Sequence, residues 1–287
     1  MTKVLLETGA SPRGWHRLQN MLECPQKYSY QYNLGIEPLI PAQALMKGSL
    51  VHLALAHHYT RKKAEDMGED KDQFFNPFEA IREKCNQSPE FGEFASNIED
   101  VIDAYQRYWM VENRNWRVLE VEQLAYAVIE DPQLKGENGE QKKYLLTGRF
   151  DMVLENINTG DILVVDHKTT SRLSSAHQNF YSVSGQLIGY EYMARKIFGD
   201  RLKGVMLNLI QLTSPYKFNR IVLTPRPNLV AHFEQTVIDA ERRISELENS
   251  GRDPMNYPKA MNELTCFTRY GACQYLDTCK FGIGAVE

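Results

Sequence analysis

Gly148-Arg-Phe-Asp-Met-Val-Leu-Glu155, followed by Asp161-Ile-Leu-Val-Val-Asp-His-Lys-Thr169, reads as two β-strands folded back on each other at Asn158-Thr-Gly160. Alternate side chains of a strand share a face, so Asp166 and Lys168 point one way and His167 the other. The turn places Asp151 opposite Asp166, or within one step of it. Like charges facing each other across a strand pair are destabilising. Beside a run as apolar as Ile162-Leu-Val-Val165 they need a compensating cation. A divalent metal with a lysine next to it is the simplest such arrangement, and it points to phosphodiester chemistry. The plain alternative is a surface ion pair, Asp166 with Lys168 or Asp151 with Arg149.

Around this hairpin the pattern alternates between helix and strand. Ser11-Pro12 predicts the start of a helix that runs through Trp15, Leu18 and Leu22 to Tyr28 and stops near Asn33-Leu-Gly35. Helical periodicity follows at about 42–63, 76–84 and 98–111. Val118, Val121, Leu124, Tyr126 and Val128 predict a strand, and Asp131 to Gly139 a turn-rich connection. Beyond the hairpin we read a helix at 182–198, strands at 205–210 and 218–223, and a long amphipathic helix at about 229–247. The tail after Gly251 reads as irregular. The expected fold is α/β: a mixed central sheet flanked by helices, with a helical N-terminal region and a C-terminal cysteine-bearing staple.

The 287 residues suffice for one large core. A net charge of −4 argues against a strongly basic nucleic-acid coat, although a bound metal would add positive charge that a residue count omits. The N-terminus lacks the apolar stretch of a signal peptide and no run is long enough to cross a bilayer, so a cytoplasmic protein with no membrane partner is expected.

Gly48-Ser-Leu-Val-His52, Glu122, Gly148-Arg-Phe-Asp151, Val165-Asp-His-Lys-Thr169 and Gln186-Leu-Ile-Gly-Tyr190 stand in this order along the chain; it is the order of five motifs in PD-(D/E)XK nucleases of the RecB type, and the chain resembles that family. Gly148-Arg-Phe-Asp151 and Val165-Asp-His-Lys-Thr169 resemble its second and third motifs. Gly48-Ser-Leu-Val-His52 is similar to a helical motif whose histidine ligates metal. Gln186-Leu-Ile-Gly-Tyr190 is similar to the Gln-x-x-x-Tyr motif that helps to hold nucleic acid, and Glu122 falls where an acidic residue often precedes the second motif, with Glu120 as a competing match. The resemblance implies a single nuclease domain over residues 1–287. Its parts would be a mainly helical region at 1–115, a restriction-endonuclease-like sheet core at 116–225, and a helix with the cysteine tail at 226–287.

The implied activity is Mg²⁺- or Mn²⁺-dependent hydrolysis of DNA, as an exonuclease on single-stranded or end-processed DNA in repair, recombination or phage DNA processing. A helicase or recombination partner would be in keeping with it, and the oligomeric state is left open. Asp151 and Asp166 would bind one or two ions, with His52, the main-chain carbonyl of His167 and Glu122 as further ligands. Lys168 would act on the water, and Gln186 and Tyr190 would position the strand. Arg172, in Ser171-Arg-Leu-Ser-Ser175, could contact phosphates. The alternative is a catalytically silent scaffold that binds DNA ends on the same fold.

Five cysteines are present. Cys266, Cys273 and Cys279 give C-x₆-C-x₅-C, and Cys24 opens Cys24-Pro-Gln-Lys-Tyr28. Four thiolates can hold Zn²⁺ or a [4Fe–4S] cluster, and the long spacings favour the cluster. By resemblance to the AddB-like nucleases and a CRISPR-associated exonuclease family, these four would staple the first helix to the tail, although the first gap departs from the C-x₂-C common there. Cys85 has no partner in this scheme. Of Tyr28, Tyr30 and Tyr32, which alternate with polar residues, at least two are expected to pack rather than stack on bases.

Overall fold

A computed structural model describes residues 3–37, 42–136, 138–223, 225–268 and 271–282. Its helices are α1 (Trp15–Glu23), α2 (Pro25–Tyr28), α3 (Gln43–Asp66), α4 (Pro77–Gln87), α5 (Ala95–Trp109), α6 (Ala176–Ser182), α7 (Gly185–Phe198) and α8 (Pro227–Glu248). One five-stranded sheet has the order β1 (Trp116–Lys135), β2 (Gln141–Asn156), β3 (Ile162–Thr170), β4 (Leu202–Gln211), β5 (Phe218–Val222). β2 runs antiparallel to β3, β3 parallel to β4, and β4 antiparallel to β5. The expected mixed α/β sheet flanked by helices is what the chain forms.

The chain divides into two compact units. The first comprises residues 1–12, 42–127 and 147–231; the second comprises 13–41, 128–146 and 232–287. In the first, Leu50, Val51, Ala54 and Leu55 of α3 and Ile98, Val101, Ile102 and Tyr105 of α5 are fully buried. They share one cluster with Met152, Leu163, Val165 and Met206 of the sheet. Period-two alternation then gives the opposite face of β3 to α7. Lys168 reaches Gln186 on α7, whereas His167 stacks on Tyr59 of α3.

In the second unit α1 and α8 supply Leu18, Met21, Phe233, Val237 and Ile244 to a smaller core. Arg17 pairs with Glu241 at 2.6 Å, and Arg242 closes on the fully buried Asp131. Tyr28 and Tyr30 are buried, with Tyr28 Oη donating to Glu248 and Tyr30 against Tyr275, so both pack as expected. Among the described residues no helix is long and apolar enough to cross a membrane.

Three local expectations are corrected. The first helix starts at Trp15, not Ser11-Pro12, and breaks at Cys24, whose extended backbone (φ −160°, ψ 105°) is what a residue before proline adopts. The helix expected at 182–198 forms as α7, starting three residues later at Gly185, and the unexpected short helix α6 precedes it, separated by Val183-Ser184. Asp131 to Lys135 extends β1 instead of forming a turn. β1 is an edge strand, where Pro132 is tolerated, and Arg242 compensates the buried carboxylate of Asp131. The actual turn is closed by Gly136 N–H donating to Glu140 O at 2.8 Å, and Glu137 lies outside the described residues.

Candidate active site

The hairpin register pairs Met152 with Val165, which sets Asp151 and Asp166 as the next residues in line where the strands part. Asp151 Oδ2 accepts the main-chain N–H of His167 at 2.6 Å and lies 3.5 Å from His52 Nδ1. His52 stands one helical turn after Gly48, where α3 passes β3 closely enough that a Cβ on Gly48 would lie 3.4 Å from Thr169 Oγ1. Glu122 arrives from β1 in the left-handed region, at φ 51°. Such a conformation costs about 1–3 kcal/mol for a residue with a side chain, and it marks Glu122 as held by its surroundings. One ligand atom each of His52, Glu122 and Asp151 lies within 4.8 Å of the others, the one such group of three or more among the described residues.

Beside this triad runs a chain of hydrogen bonds. Lys168 Nζ donates to Asp166 Oδ1 at 3.1 Å and to Gln186 Oε1 at 3.0 Å. Gln186 Nε2 donates to Tyr190 Oη at 3.1 Å, and Tyr190 Oη donates to the main-chain oxygen of Arg149 at 2.6 Å. Gln186 and Tyr190, four apart on α7, therefore connect the lysine to the strand carrying Asp151.

The charges are strongly coupled. Burial and then the charge of Asp151 push the Glu122 carboxyl up to about 8. Burial also raises Asp166, against the opposing pull of Lys168. Burial would lower His52, but the charge of Asp151 and its hydrogen bond outweigh it and raise the imidazole to about 9. Asp151 itself is held below the usual carboxylate range: burial opposes this, but His52 prevails, with His167 and Lys168 adding to it. Burial lowers His167 to about 3. Its Nδ1 lies 2.8 Å from Asn208 Nδ2, and Asn208 Nδ2 also donates to Tyr105 Oη at 2.7 Å.

These residues fit a divalent ion. Oε2 of Glu122 and Oδ2 of Asp166 are buried without a hydrogen-bond donor, although Lys168 Nζ is 2.9 Å from the latter. An imidazole and several carboxylate oxygens form a donor set for a hard or borderline cation. The closest set includes Glu122, whereas Asp166 stands on the lysine side. Glu120, the competing match, instead binds Lys63 at 2.6 Å.

Arg172 is exposed on the loop after β3. Its main chain is held by Thr170 Oγ1. Cys24 is buried and Cys266, Cys273 and Cys279 half-buried, all as free thiols in the second unit; no three of the four sulfurs lie within 4.8 Å of one another. Cys85 is a half-buried thiol in the first unit. Arg149, which the sequence offers only as an ion-pair partner of Asp151, pairs instead with Glu7, lies two positions before Asp151 and acts by its charge on Glu122.

A mixed sheet with carboxylates and a lysine gathered where adjacent strands part, under a histidine-bearing helix, defines a restriction-endonuclease-like core. The sequence profile of the PD-(D/E)XK nuclease superfamily matches residues 15–280, and the chain belongs to that superfamily. Among solved structures, the chain is similar to a protein of Eubacterium rectale described as a candidate exonuclease, at 14% identity and a TM-score of 0.50, covering 86% of this chain and 84% of that one. A second structure, described only as SSO0001, aligns at 16% identity with a TM-score of 0.31, over 76% of this chain and 84% of that one. The first of these likenesses concerns the fold alone. No curated protein matches.

Proposed function

We propose that the chain is a divalent-metal-dependent deoxyribonuclease that acts as an exonuclease on single-stranded or end-processed DNA. The observation that carries this reading is the convergence of His52, Glu122 and Asp151 within 4.8 Å, with Asp166 and Lys168 alongside. His52, Glu122, Asp151 and Asp166, with the main-chain carbonyl of His167, would hold Mg²⁺ or Mn²⁺. When bound, the ion supplies Lewis acidity and lowers the pKa of water.

The residues themselves perform the rest. Lys168, raised because the charges of Asp166 and Asp151 outweigh burial, is a cation at neutral pH; it orients the attacking water and offsets charge at the phosphorus. Gln186 fixes the direction of the ammonium by accepting one of its hydrogens. Tyr190 stays a phenol, since burial and then Asp166 push its hydroxyl well above the usual range, and it holds the Arg149 main chain. Arg172 adds a phosphate contact from an exposed loop.

In this reading the four cysteines of the second unit carry a [4Fe–4S] cluster. Two sulfurs on one zinc can be at most about 4.6 Å apart, twice the Zn–S bond. The long C-x₆-C-x₅-C spacings in the sequence are the ground for preferring a cubane of four irons to zinc. The charges of Cys24 and Cys273 reach Cys279, so these thiols are neighbours. A brown preparation with iron and acid-labile sulfide supports the cluster; a colourless, iron-free one rejects it.

The nuclease reading is tested with end-labelled single- and double-stranded DNA and RNA, comparing Mg²⁺, Mn²⁺ and chelator. Metal-dependent shortening of DNA from an end is expected. DNA binding without cleavage under every metal condition would instead establish a silent scaffold.

A further inference from the structure

Arg149 is a cation set into the wall of the candidate site and covered by the chain's own N-terminal segment. Its side chain is 11% exposed. Nη2 donates to Glu7 Oε1 at 2.6 Å and Nη1 to the Glu7 main-chain oxygen at 3.0 Å, while Nε is buried with no acceptor. The partner is held very differently: the Glu7 side chain is 84% exposed. Residues 3–9 adopt neither helix nor strand and run along the first unit on separate contacts. Lys3 Nζ donates to Glu79 Oε2 at 3.0 Å, and Leu6 N–H donates to His57 Nε2 at 3.2 Å. A nearly buried guanidinium facing an exposed carboxylate is an asymmetric pair: losing Glu7 to solvent costs little, and leaving Arg149 without an anion costs much.

The location gives the pair a meaning. Arg149 lies two residues before Asp151 on β2, and its main-chain oxygen is the acceptor of Tyr190. Both Arg149 and Glu7 act electrostatically on Glu122. A carboxylate and a phosphodiester present similar paired oxygens to a guanidinium, and arginine binds both in the same fork geometry. Building on the nuclease reading, we infer that Arg149 is a binding site for a backbone phosphate next to the scissile one, and that Glu7 occupies it as an intramolecular phosphate mimic that nucleic acid must displace. The segment 3–9 is thus a strap that lowers affinity for short or poorly charged substrates.

The test is a cycle of Glu7→Gln, Arg149→Gln and the double variant. Binding of fluorescein-labelled oligothymidylate is measured in chelator, and cleavage in Mn²⁺. Glu7→Gln should tighten binding about two- to fivefold, the range set by loss of an exposed ion pair, and lower KM. Arg149→Gln should weaken binding and make the dependence of log affinity on log salt shallower by about 0.7, one phosphate contact on a single strand. In the Arg149→Gln background Glu7→Gln should have no further effect. Equal effects of Glu7→Gln in both backgrounds, an unchanged salt slope in Arg149→Gln, or no oligonucleotide binding by either wild type or Glu7→Gln overturns the inference. Failure of the wild type to cleave with either metal overturns the nuclease reading alone, because the binding cycle needs no turnover.

Discussion

The main-chain N–H of His167 donates to Asp151 Oδ2 across 2.6 Å, so the residue between Asp166 and Lys168 fixes the aspartate on the neighbouring strand. A buried, charge-assisted bond of this kind is worth about 1.5–3 kcal/mol. It explains how an acid can stay ionised beside another acid: His52, His167 and Lys168 together favour the charged form of Asp151, while Asp166 is raised. The apolar strand pair supplies the rigidity, and the point where the strands part supplies room for polar groups.

Lys168 touches Asp166 and Gln186 and no other side chain in this network. Replacing it with alanine should cut metal-dependent cleavage by about 10²–10³-fold, the range for a group acting on transition-state charge, while binding of DNA in chelator stays within a few fold. Gel-based cleavage and fluorescence anisotropy on the same preparation separate the two. Equal loss of binding and cleavage would assign the lysine to substrate affinity instead.

Glu122 and Glu120 make a second contrast. Glu120, 46% exposed and paired with Lys63, is a surface partner, so Glu120→Gln should change stability by less than about 1 kcal/mol and leave the metal requirement alone. Glu122→Gln removes one member of the close triad and should raise the Mn²⁺ concentration for half-maximal cleavage by at least about tenfold. A metal titration of cleavage by both variants tells them apart, and a shift in Glu120→Gln instead would reverse the assignment.

Local pattern carried much of this. The turn at Asn158-Thr-Gly160 and period-two alternation put Asp151, Asp166 and Lys168 together before any coordinates, and helical spacing put Gln186 and Tyr190 on one face. Features that depend on residues far apart in the chain were not legible. The left-handed backbone at Glu122 follows from no residue type, since only glycine advertises that conformation. Asp131 looked like a turn former, and only Arg242, far along on α8, keeps it in a strand. Glu7 and Arg149 likewise meet across most of the first unit's sequence. The break between α6 and α7 involved no proline, only a Ser-Gly pair that short-range propensity weighs lightly.

Without metal, the protein should lose stability as pH rises. His52 is raised from 6.5 to about 9 and Glu122 from 4.5 to about 8. Each binds a proton more tightly in the folded chain than in the unfolded one. That contribution is complete below the unfolded value and disappears as pH passes the folded one. Asp151, His57, His58 and His167, all lowered, work the other way, but Asp151 is already fully ionised above pH 6 and the contribution of the three histidines levels off once pH passes their unfolded value of 6.5. Thermal unfolding in chelator should therefore show a Tm at about pH 9 lower than at about pH 7.5 by more than about 2–4 °C, the shift for ~1 kcal/mol in a large domain. Metal needs both groups deprotonated, so Mn²⁺ should bind more tightly at pH 8.5 than at 6.5, with proton release detectable by calorimetry in buffers of different ionisation enthalpy. A pH-independent Mn²⁺ affinity would contradict the triad as the ligand set.

Gly148 offers a test of the Tyr190 connection without altering any polar group. A Cβ at this position would collide with Met193 Cε and meet Tyr190 Cε1 at 3.1 Å. Methionine can swing away at small cost, but the Tyr190 ring is packed edge-on against Phe150 and tied by its hydroxyl to Arg149 O. Gly148→Ala should therefore cost only about 1–3 kcal/mol of stability, read as a modest fall in Tm, yet move the ring that holds Gln186 and, through it, Lys168. A drop in kcat of about tenfold or more, with KM little changed, is the expected signature. Adding Met193→Ala empties a buried core position and should lower stability further, by about 2–5 kcal/mol, but should recover kcat only if the tyrosine returns to its place. Wild-type kcat in Gly148→Ala would mean that the chain from Arg149 through Tyr190 and Gln186 does not position the lysine.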